Sequence, residues 1–376
     1  MDQQKKHILI LSSWYPNQYQ PFLGNFVKTQ AELLSEIYKV SVLYIQSAEN
    51  CKSIEFEIKE ADSFSEIIAY YPKKSNPFSS YRMAIQALKR GLSKINNIDL
   101  IHGHVMLPKG YLFLKAKAIL NKPLIVTEHS SVFLQNAKSQ MGLKNRLLIS
   151  RLGKKADQII AVSHVLKATM KSLFPSTQEI EVIGNPVKTQ LFKLKPTIQS
   201  NFTTFLHVST LDMVNKNPEG IISGVELLVK NGHENFRLRI VSDEDFSLLE
   251  NMVKNKDLSH FIQFYGPCKP EELVQHYHES DAFVLFSNFE TFSIVLAEAW
   301  SCGLPVISTP VGIANNLNCD LGIQVGRNDI DALARAMLTI MEGKKFDSKS
   351  IRNHALQYAE QQILMQIQTI YNKYLG

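Results

Sequence analysis

At 376 residues the chain is long enough for two domains of ordinary size, each with its own core. A hydrophobic share of 45% and a charged share of 20% match a soluble globular protein. Four widely spaced cysteines (Cys51, Cys268, Cys302, Cys319), none in a Cys-x2-Cys pair, argue against a disulfide framework or zinc site and for a reducing cytosol. The net charge is +6, but no recognised nucleic-acid module accompanies it, so nucleic acid is not an expected partner.

The chain enters directly into a predicted strand, His7 to Ser12, whose apolar run is too short for a signal sequence. No later apolar stretch approaches bilayer length, so a cytoplasmic location is expected. Ser12 to Val27 leads into a predicted helix, Phe26 to Ile37, and Gly24 lies where that helix opens. A residue without Cβ there lets the backbone approach a phosphate. Strands are predicted over Lys39 to Ile45 and Leu100 to His104, followed by a helix over Tyr111 to Leu120. In Asp99-Leu-Ile-His-Gly-His104, alternation puts His102 and His104 on one side of the strand. No third ligand follows at helical spacing, so a metal is not expected. The strand Leu124 to Thr127 ends in Glu128 and His129, a candidate general base or helix-stabilising acid beside a candidate polar contact. Strands over Gln158 to Ser163 and Glu181 to Ile183 complete the first half.

Two basic stretches of helical composition interrupt this half. One runs around Tyr81, Arg82, Lys89, Arg90 and Lys94; the other carries Lys138, Lys144, Arg146, Arg151, Lys154 and Lys155 among Met141, Leu143, Leu147, Leu148, Ile149 and Leu152. Such stretches suit either an anionic membrane surface or a core-facing helix with a solvated basic side. The aperiodic segment Asn185 to Asn201, with a proline near each end, is the expected linker.

The second half repeats the scheme with strands over Phe205 to Ser209, Leu238 to Ser242, Phe261 to Tyr265, Ala282 to Phe286, Val306 to Ser308 and Gly322 to Val325, and it ends in a helical segment, Lys349 to Tyr374. Strands separated by helices mean parallel sheets with right-handed crossovers, so the expected class is α/β with two Rossmann-like doubly wound domains. Ligands then lie outside the strands' carboxyl ends, where two facing domains pool their loops. Asp243-Glu-Asp245 is formally an Asp-x-Asp, but it precedes a helical run beginning near Phe246 and is read as capping.

The most informative stretch is Ser287-Asn-Phe-Glu-Thr-Phe-Ser-Ile-Val-Leu-Ala-Glu-Ala-Trp-Ser-Cys-Gly-Leu-Pro-Val-Ile-Ser-Thr-Pro-Val-Gly312. Glu290 sits at a strand's carboxyl end, and helical composition runs from Thr291 until Gly303 and Pro305 stop it. Glu298 then lies about 10 to 12 Å further along the helix, a separation that suits one carboxylate for a sugar and one for a ribose.

The pattern Glu-x7-Glu followed by Ala-x3-Gly-x-Pro-Val-Ile-x-Thr-x-x-Gly resembles the donor-binding signature of the retaining GT-B glycosyltransferases of family 4. The resemblance implies two domains facing across a cleft: 1–188 for the acceptor, 189–355 for the nucleotide sugar, and a final helix, 356–376, crossing back to the first. It gives Glu290 the donor sugar's hydroxyls, Glu298 the ribose diol, and Thr291, Phe292 and Ser293 the sugar and distal phosphate at a helix start. Gly24 and Gly266 join the donor set. It also implies that His104 reaches the reacting bond, that His102 is a packed neighbour, and that His129 and Glu128 lie on the acceptor side. Lys216 corresponds to half of the family's diphosphate clamp, whereas Thr210 stands where many relatives carry arginine. One fixed positive charge fewer for the leaving group implies a substitute cation or modest turnover.

The reaction so implied is retaining transfer from a nucleoside diphosphate sugar, UDP-linked in the first instance, to a hydroxyl of a glycan or lipid-linked glycan. Neither a cofactor nor a metal ion is expected. Bacterial capsule or lipopolysaccharide synthesis on the inner membrane face fits the basic stretches. Epimerases would need acid and base groups about one sugar carbon, and phosphorylases a pyridoxal lysine, neither of which is evident. The remaining alternative is a binding or scaffold subunit that has lost its diphosphate arginine.

Overall fold

The computed structural model describes residues 5–134, 141–173, 179–196 and 202–376. They form two compact units: residues 1–186 together with 363–376, and residues 187–362. Each unit is built on one mostly parallel sheet with helices between its strands.

In the first unit the strands are β1 (His7–Ser12), β2 (Lys39–Ala48), β3 (Glu55–Glu60), β4 (Phe64–Pro72), β5 (Leu100–His104), β6 (Leu124–Glu128), β7 (Gln158–Ala161) and β8 (Ile180–Val182). Their order is β3-β4-β2-β1-β5-β6-β7-β8. All neighbours are parallel except β3 and β4, an antiparallel pair that the sequence reading did not predict. β3 reads Glu-Phe-Glu-Ile-Lys-Glu and is largely exposed, so it carries no buried apolar run to betray it. Its charges suit an edge strand, where they discourage pairing with another chain. The central strands are buried on both faces, as parallel strands covered by helices must be. Ile8, Ile10, Val40 and Val42 pack there with Val27, Ala31 and Leu34 of the helix Asn25–Leu34.

The second unit has β9 (Thr203–Val208), β10 (Phe236–Val241), β11 (Ile262–Tyr265), β12 (Ala282–Leu285), β13 (Val306–Ser308) and β14 (Gly322–Gln324). The order β11-β10-β9-β12-β13-β14 places β9 and β12 side by side, with every pair parallel. Its core joins Phe205, Leu238, Ile240, Val284 and Phe286 to the helices Pro218–Lys230 and Ile330–Met341 through Ile221, Val225, Leu333 and Met337.

The change of unit, between residues 186 and 187, falls inside the segment predicted as a linker, Asn185 to Asn201. The segment predicted as a linker is, over residues 187–196, a strap fastened to the second unit. Val187 donates to the Tyr358 carbonyl, Lys195 to that of Cys302, and Arg352 donates to the carbonyls of Thr189, Phe192 and Ser301. The remainder of that prediction, residues 197–201, lies outside the described residues. The C-terminal helix is also interrupted: Ser348–Ala355 is followed by a 3-10 turn, Leu356–Tyr358, and then by Glu360–Leu375. Ala359 is extended because it pairs strand-fashion with Val187, which removes it from any helix.

Residues beyond this break complete the first unit's core. Ile363, Leu364, Ile367, Ile370 and Tyr371 are buried with Ile8, Val40 and Leu100. The Tyr371 hydroxyl lies 2.7 Å from Nδ1 of His102, and both side chains are fully buried. Tyr371→Phe keeps the ring but leaves that nitrogen unpaired, so it should cost about 1–3 kcal/mol. Urea unfolding followed by first-unit fluorescence checks this; an unchanged midpoint would show the bond to be dispensable.

Candidate active site

The carboxyl ends of β9, β12 and β13 bring most of the second unit's predicted residues together. Beyond β9, Asp212 folds the loop by accepting from the backbone N–H groups of Val214 and Asn215, each at 2.9 Å. Asn217 then caps the helix Pro218–Lys230 through Gly220 N–H at 3.1 Å. Lys216, between these two anchors, donates to Glu290 Oε1 at 2.6 Å. Ser287 Oγ donates to the same oxygen at 3.0 Å. The β12 loop is clipped to the β9 loop as well, by Asn288 N–H to the Asn215 carbonyl at 2.8 Å. Thus Lys216 and Glu290, 74 residues apart in sequence, are direct partners. Thr210, by contrast, is an exposed residue of the same loop and brings no charge.

The helix after Glu290 begins later than composition suggested, at Ile294 rather than Thr291. Glu290 and Phe292 use their carbonyls to accept from Gly312 and Ile313 N–H groups, both at 3.1 Å, so residues 290–292 are paired laterally before the helix can start. Ser293 makes the turn in a left-handed conformation, φ 75°, and its buried hydroxyl finds no partner among the described residues. Thr291 is half-buried beside it, and the Phe292 ring is buried against Tyr358. Gly312 is obligatory: its φ is 49°, and a Cβ would lie 2.4 Å from the Phe292 carbonyl oxygen. At the far end Gly303, φ 76°, terminates the helix, with its N–H on the Trp300 carbonyl.

Glu298 is partly buried and accepts from the Tyr277 hydroxyl at 2.9 Å. Burial raises its carboxyl from the usual 4.5 to about 7, against the opposing pull of that hydrogen bond. Only Ile294 to Glu298 of its separation from Glu290 is helical, so the helical spacing assumed from sequence does not hold over the whole interval. Gly266 lies just past β11, where a Cβ would meet nothing within 4 Å, so no steric demand makes it glycine. Asp245 accepts from the Ser247 backbone and hydroxyl at the start of Ser247–Asn255.

In the first unit the ends of β1, β5 and β6 are adjacent, with Ser12 opposite His104 and His104 opposite Thr127. A column of rings stands there. Phe26 stacks on His129 at 4.4 Å between centroids, His129 on His104 at 5.4 Å, and His104 lies 4.1 Å from His102. His102 has both nitrogens engaged, by Tyr371 and by Thr127, and is a structural neighbour. His104 Nδ1 is 3.1 Å from His129 Nε2, while the buried His104 Nε2 has no partner among the described residues. Burial lowers His102 and His129 to about 3 and holds His104 well below the ordinary histidine value, so all three rings are neutral near pH 7.

Glu128 is a clamp. Its carboxylate accepts from the N–H groups of Met106, His129 and Ser130, and burial raises it to about 7 despite these bonds. The general-base reading therefore gives way to the structural one, since both oxygens are committed to shaping the loop. Gly24 also has an internal reason to be glycine: φ is 70°, and a Cβ would lie 2.5 Å from the Trp14 carbonyl oxygen. Its absent side chain admits the chain's own backbone. Lys109, a further half-buried cation of this unit, donates from Nζ to Gln46 at 2.8 Å and lies 4.2 Å from the Tyr44 ring centre. Burial lowers its amine to about 7; no local pattern marks it.

Two family models match the chain, one described as glycosyl transferases group 1 over residues 189–359 and one as glycosyltransferase family 4 over residues 25–191. An uncharacterized glycosyltransferase of Methanocaldococcus jannaschii is 24% identical over 351 residues, covering 90% of each chain. The sucrose-phosphate synthase structure from Thermosynechococcus elongatus superposes with a TM-score of 0.80 at 18% identity, over 98% of this chain and 99% of that one. HepE of Anabaena in complex with UDP-glucose gives 0.72 at 16% identity, over 98% and 99%.

The raised carboxyl of Glu298 links stability to pH. Its folded value of about 7 exceeds its usual 4.5, so the folded chain binds the proton more tightly. That contribution to stability is full below pH 4.5 and is lost as pH rises to 7. Glu298→Gln, which carries no such charge, should gain about 1–3 kcal/mol on the wild type between pH 5 and pH 8, after discounting for partial exposure. Parallel urea titrations at the two pH values test it, and equal differences at both would refute the burial effect.

Proposed function

Because the chain belongs to the group 1 glycosyltransferases of GT-B fold, we propose that it transfers a sugar, with retention of configuration and without a metal ion, from a nucleoside diphosphate sugar to a hydroxyl of a glycan or lipid-linked glycan. UDP-linked sugars are the first donors to try, since UDP-glucose is the ligand named for the HepE structure. The observation that carries this reading is the constellation of Glu290, Lys216 and the unpartnered Ser293 hydroxyl at one helix start. A carboxylate for sugar hydroxyls, a cation for phosphate and free donors at a helix N-terminus are what a nucleotide sugar requires.

In the proposed step, the acceptor oxygen attacks the anomeric carbon on the face from which the diphosphate departs. The bond from that carbon to the phosphate oxygen breaks as the new one forms, and a diphosphate oxygen takes the acceptor's proton. Lys216 and the Ile294 helix start stabilise the departing charge. Glu290 orients the sugar through its remaining oxygen, and Glu298, once ionised, accepts from the ribose diol. In the first unit the neutral His104, whose Nε2 has no partner among the described residues, is the catalytic candidate. The first unit, with His129 beside His104, takes the acceptor, and the second takes the donor.

Nucleoside diphosphate release from UDP, GDP and ADP sugars, with and without membrane extract, tests the reading directly. Acceptor-dependent release should fall about 100-fold or more in Glu290→Ala and in His104→Ala. Donor binding without turnover in any combination would instead indicate a binding subunit of a glycan-assembly complex.

The acceptor side of this proposal extends to bacterial cell-surface polysaccharide made at an anionic membrane surface. No helix among the described residues is long and apolar enough to cross a membrane. Helices Pro77–Leu92 and Leu143–Lys155 carry Arg82, Lys89, Arg90, Lys144, Arg146 and Arg151, and no acid. They also expose Phe78 (67%), Leu143 (71%) and Leu147 (58%). A groove of about 600 Å³ between them is lined by Tyr81, Tyr111, Lys115, Lys144, Leu147 and Arg151. Lys138, assigned to the same basic stretch from sequence, lies outside the described residues. Apolar side chains among cations suit insertion between anionic headgroups. The protein should therefore sediment with phosphatidylglycerol vesicles and not with phosphatidylcholine ones, and Leu143→Glu with Leu147→Glu should abolish it; equal recovery on both lipids would sink the idea.

A further inference from the structure

The donor reading leaves an electrostatic deficit. Lys216 is paired with Glu290, so the two contribute little net charge, and Thr210 contributes none. The helix Ile294–Ser301 is short and adds only its terminal dipole. A departing diphosphate needs a positive group that is not already neutralised.

Resting on that reading, we infer that Arg327 is the second cation of the diphosphate site. It follows β14, and the β14 and β9 loops touch: Asn217 Nδ2 donates to Asn328 Oδ1 at 3.2 Å, one residue from Lys216 on one side and from Arg327 on the other. The guanidinium is placed by two neighbours of Glu290. One of its N–H groups donates to the Pro310 carbonyl at 2.8 Å, and its carbon lies 5.9 Å from the centre of the Phe289 ring. Pro310 leads into Gly312, whose N–H holds the Glu290 carbonyl, and Phe289 directly precedes Glu290. Arg327 therefore spans the carboxyl ends of β12, β13 and β14, beside the loop that carries Lys216.

Among the described residues no carboxylate pairs with it. Asp329, two residues on, spends its side chain capping the helix Ile330–Met341 through Ala332 N–H. A single carbonyl bond and a ring contact at 5.9 Å place the exposed guanidinium and leave most of its five donors for phosphate oxygens. A lysine in this place would lack the planar fork that can meet two phosphate oxygens at once, so the residue type fits the role.

The experiment compares nucleoside diphosphate with monophosphate affinity by calorimetry, using UDP and UMP first and then the guanosine and adenosine pairs, on the wild-type chain, Arg327→Ala and Arg327→Lys. Loss of Arg327 should weaken diphosphate binding about tenfold or more and leave monophosphate binding within about threefold. Arg327→Lys should retain an intermediate preference. The monophosphate affinity reports at once that the variant is folded. Equal losses for both ligands would make Arg327 a support for the Phe289 loop and overturn the inference, as would unchanged binding of both. A wild type that binds no nucleoside diphosphate overturns the donor-site reading itself, and this inference with it.

Discussion

The 2.6 Å contact between Lys216 and Glu290 is the constraint on which the second unit's site depends. The Glu290 side chain is 9% exposed and that of Lys216 22%, so the carboxylate in particular gains from having a partner of opposite charge. Pairing them draws the β9 and β12 loops together, and the Asn288 and Asn215 backbone bond keeps them in register. The same carboxylate faces Ser287, and its backbone carbonyl anchors Gly312. One ion pair thus coordinates three strand ends, and it does so with the groups that the proposed chemistry would use.

The first unit solves a different problem, which is to hold several imidazoles where water cannot charge them. Burial keeps His102, His104 and His129 neutral, and stacking on Phe26 with a bond to Tyr371 fixes their orientation. A neutral imidazole can donate from one nitrogen and accept at the other. His102 uses both, toward Tyr371 and Thr127. The C-terminal helix is part of this device, because Tyr371 lies 269 residues from the histidine it orients.

Glycines and acids in the two units illustrate how one residue pattern serves different ends. Gly312 permits a close backbone approach that shapes the site, whereas Gly24 accommodates the Trp14 carbonyl. Glu298 and Glu128 share a raised carboxyl near 7, yet one has a single hydroxyl partner and the other binds three backbone N–H groups. Partner count separates them: Glu128 spends both oxygens on backbone N–H groups, whereas Glu298 has one hydroxyl bond.

The sequence by itself determined the α/β class, the two sets of alternating strands and helices, and the Glu-x7-Glu stretch with its glycine stop. These are local properties: buried parallel strands read as apolar runs, and a left-handed helix end reads as Gly303. It did not reveal β3, because an exposed, charged edge strand has no apolar signature; β4, whose run Ile67 to Tyr71 is buried, had that signature and was passed over. It could not tell that 187–196 is a strap or that Ala359 breaks the final helix, since both follow from pairing between residues far apart in sequence, such as Val187 with Ala359 and Lys195 with Cys302. Only the tertiary structure decided that Lys216 bonds Glu290, that Glu128 is a clamp, and that Arg327 stands beside Phe289. Each of these depends on which strand ends are neighbours, and strand order is set by packing rather than by sequence proximity.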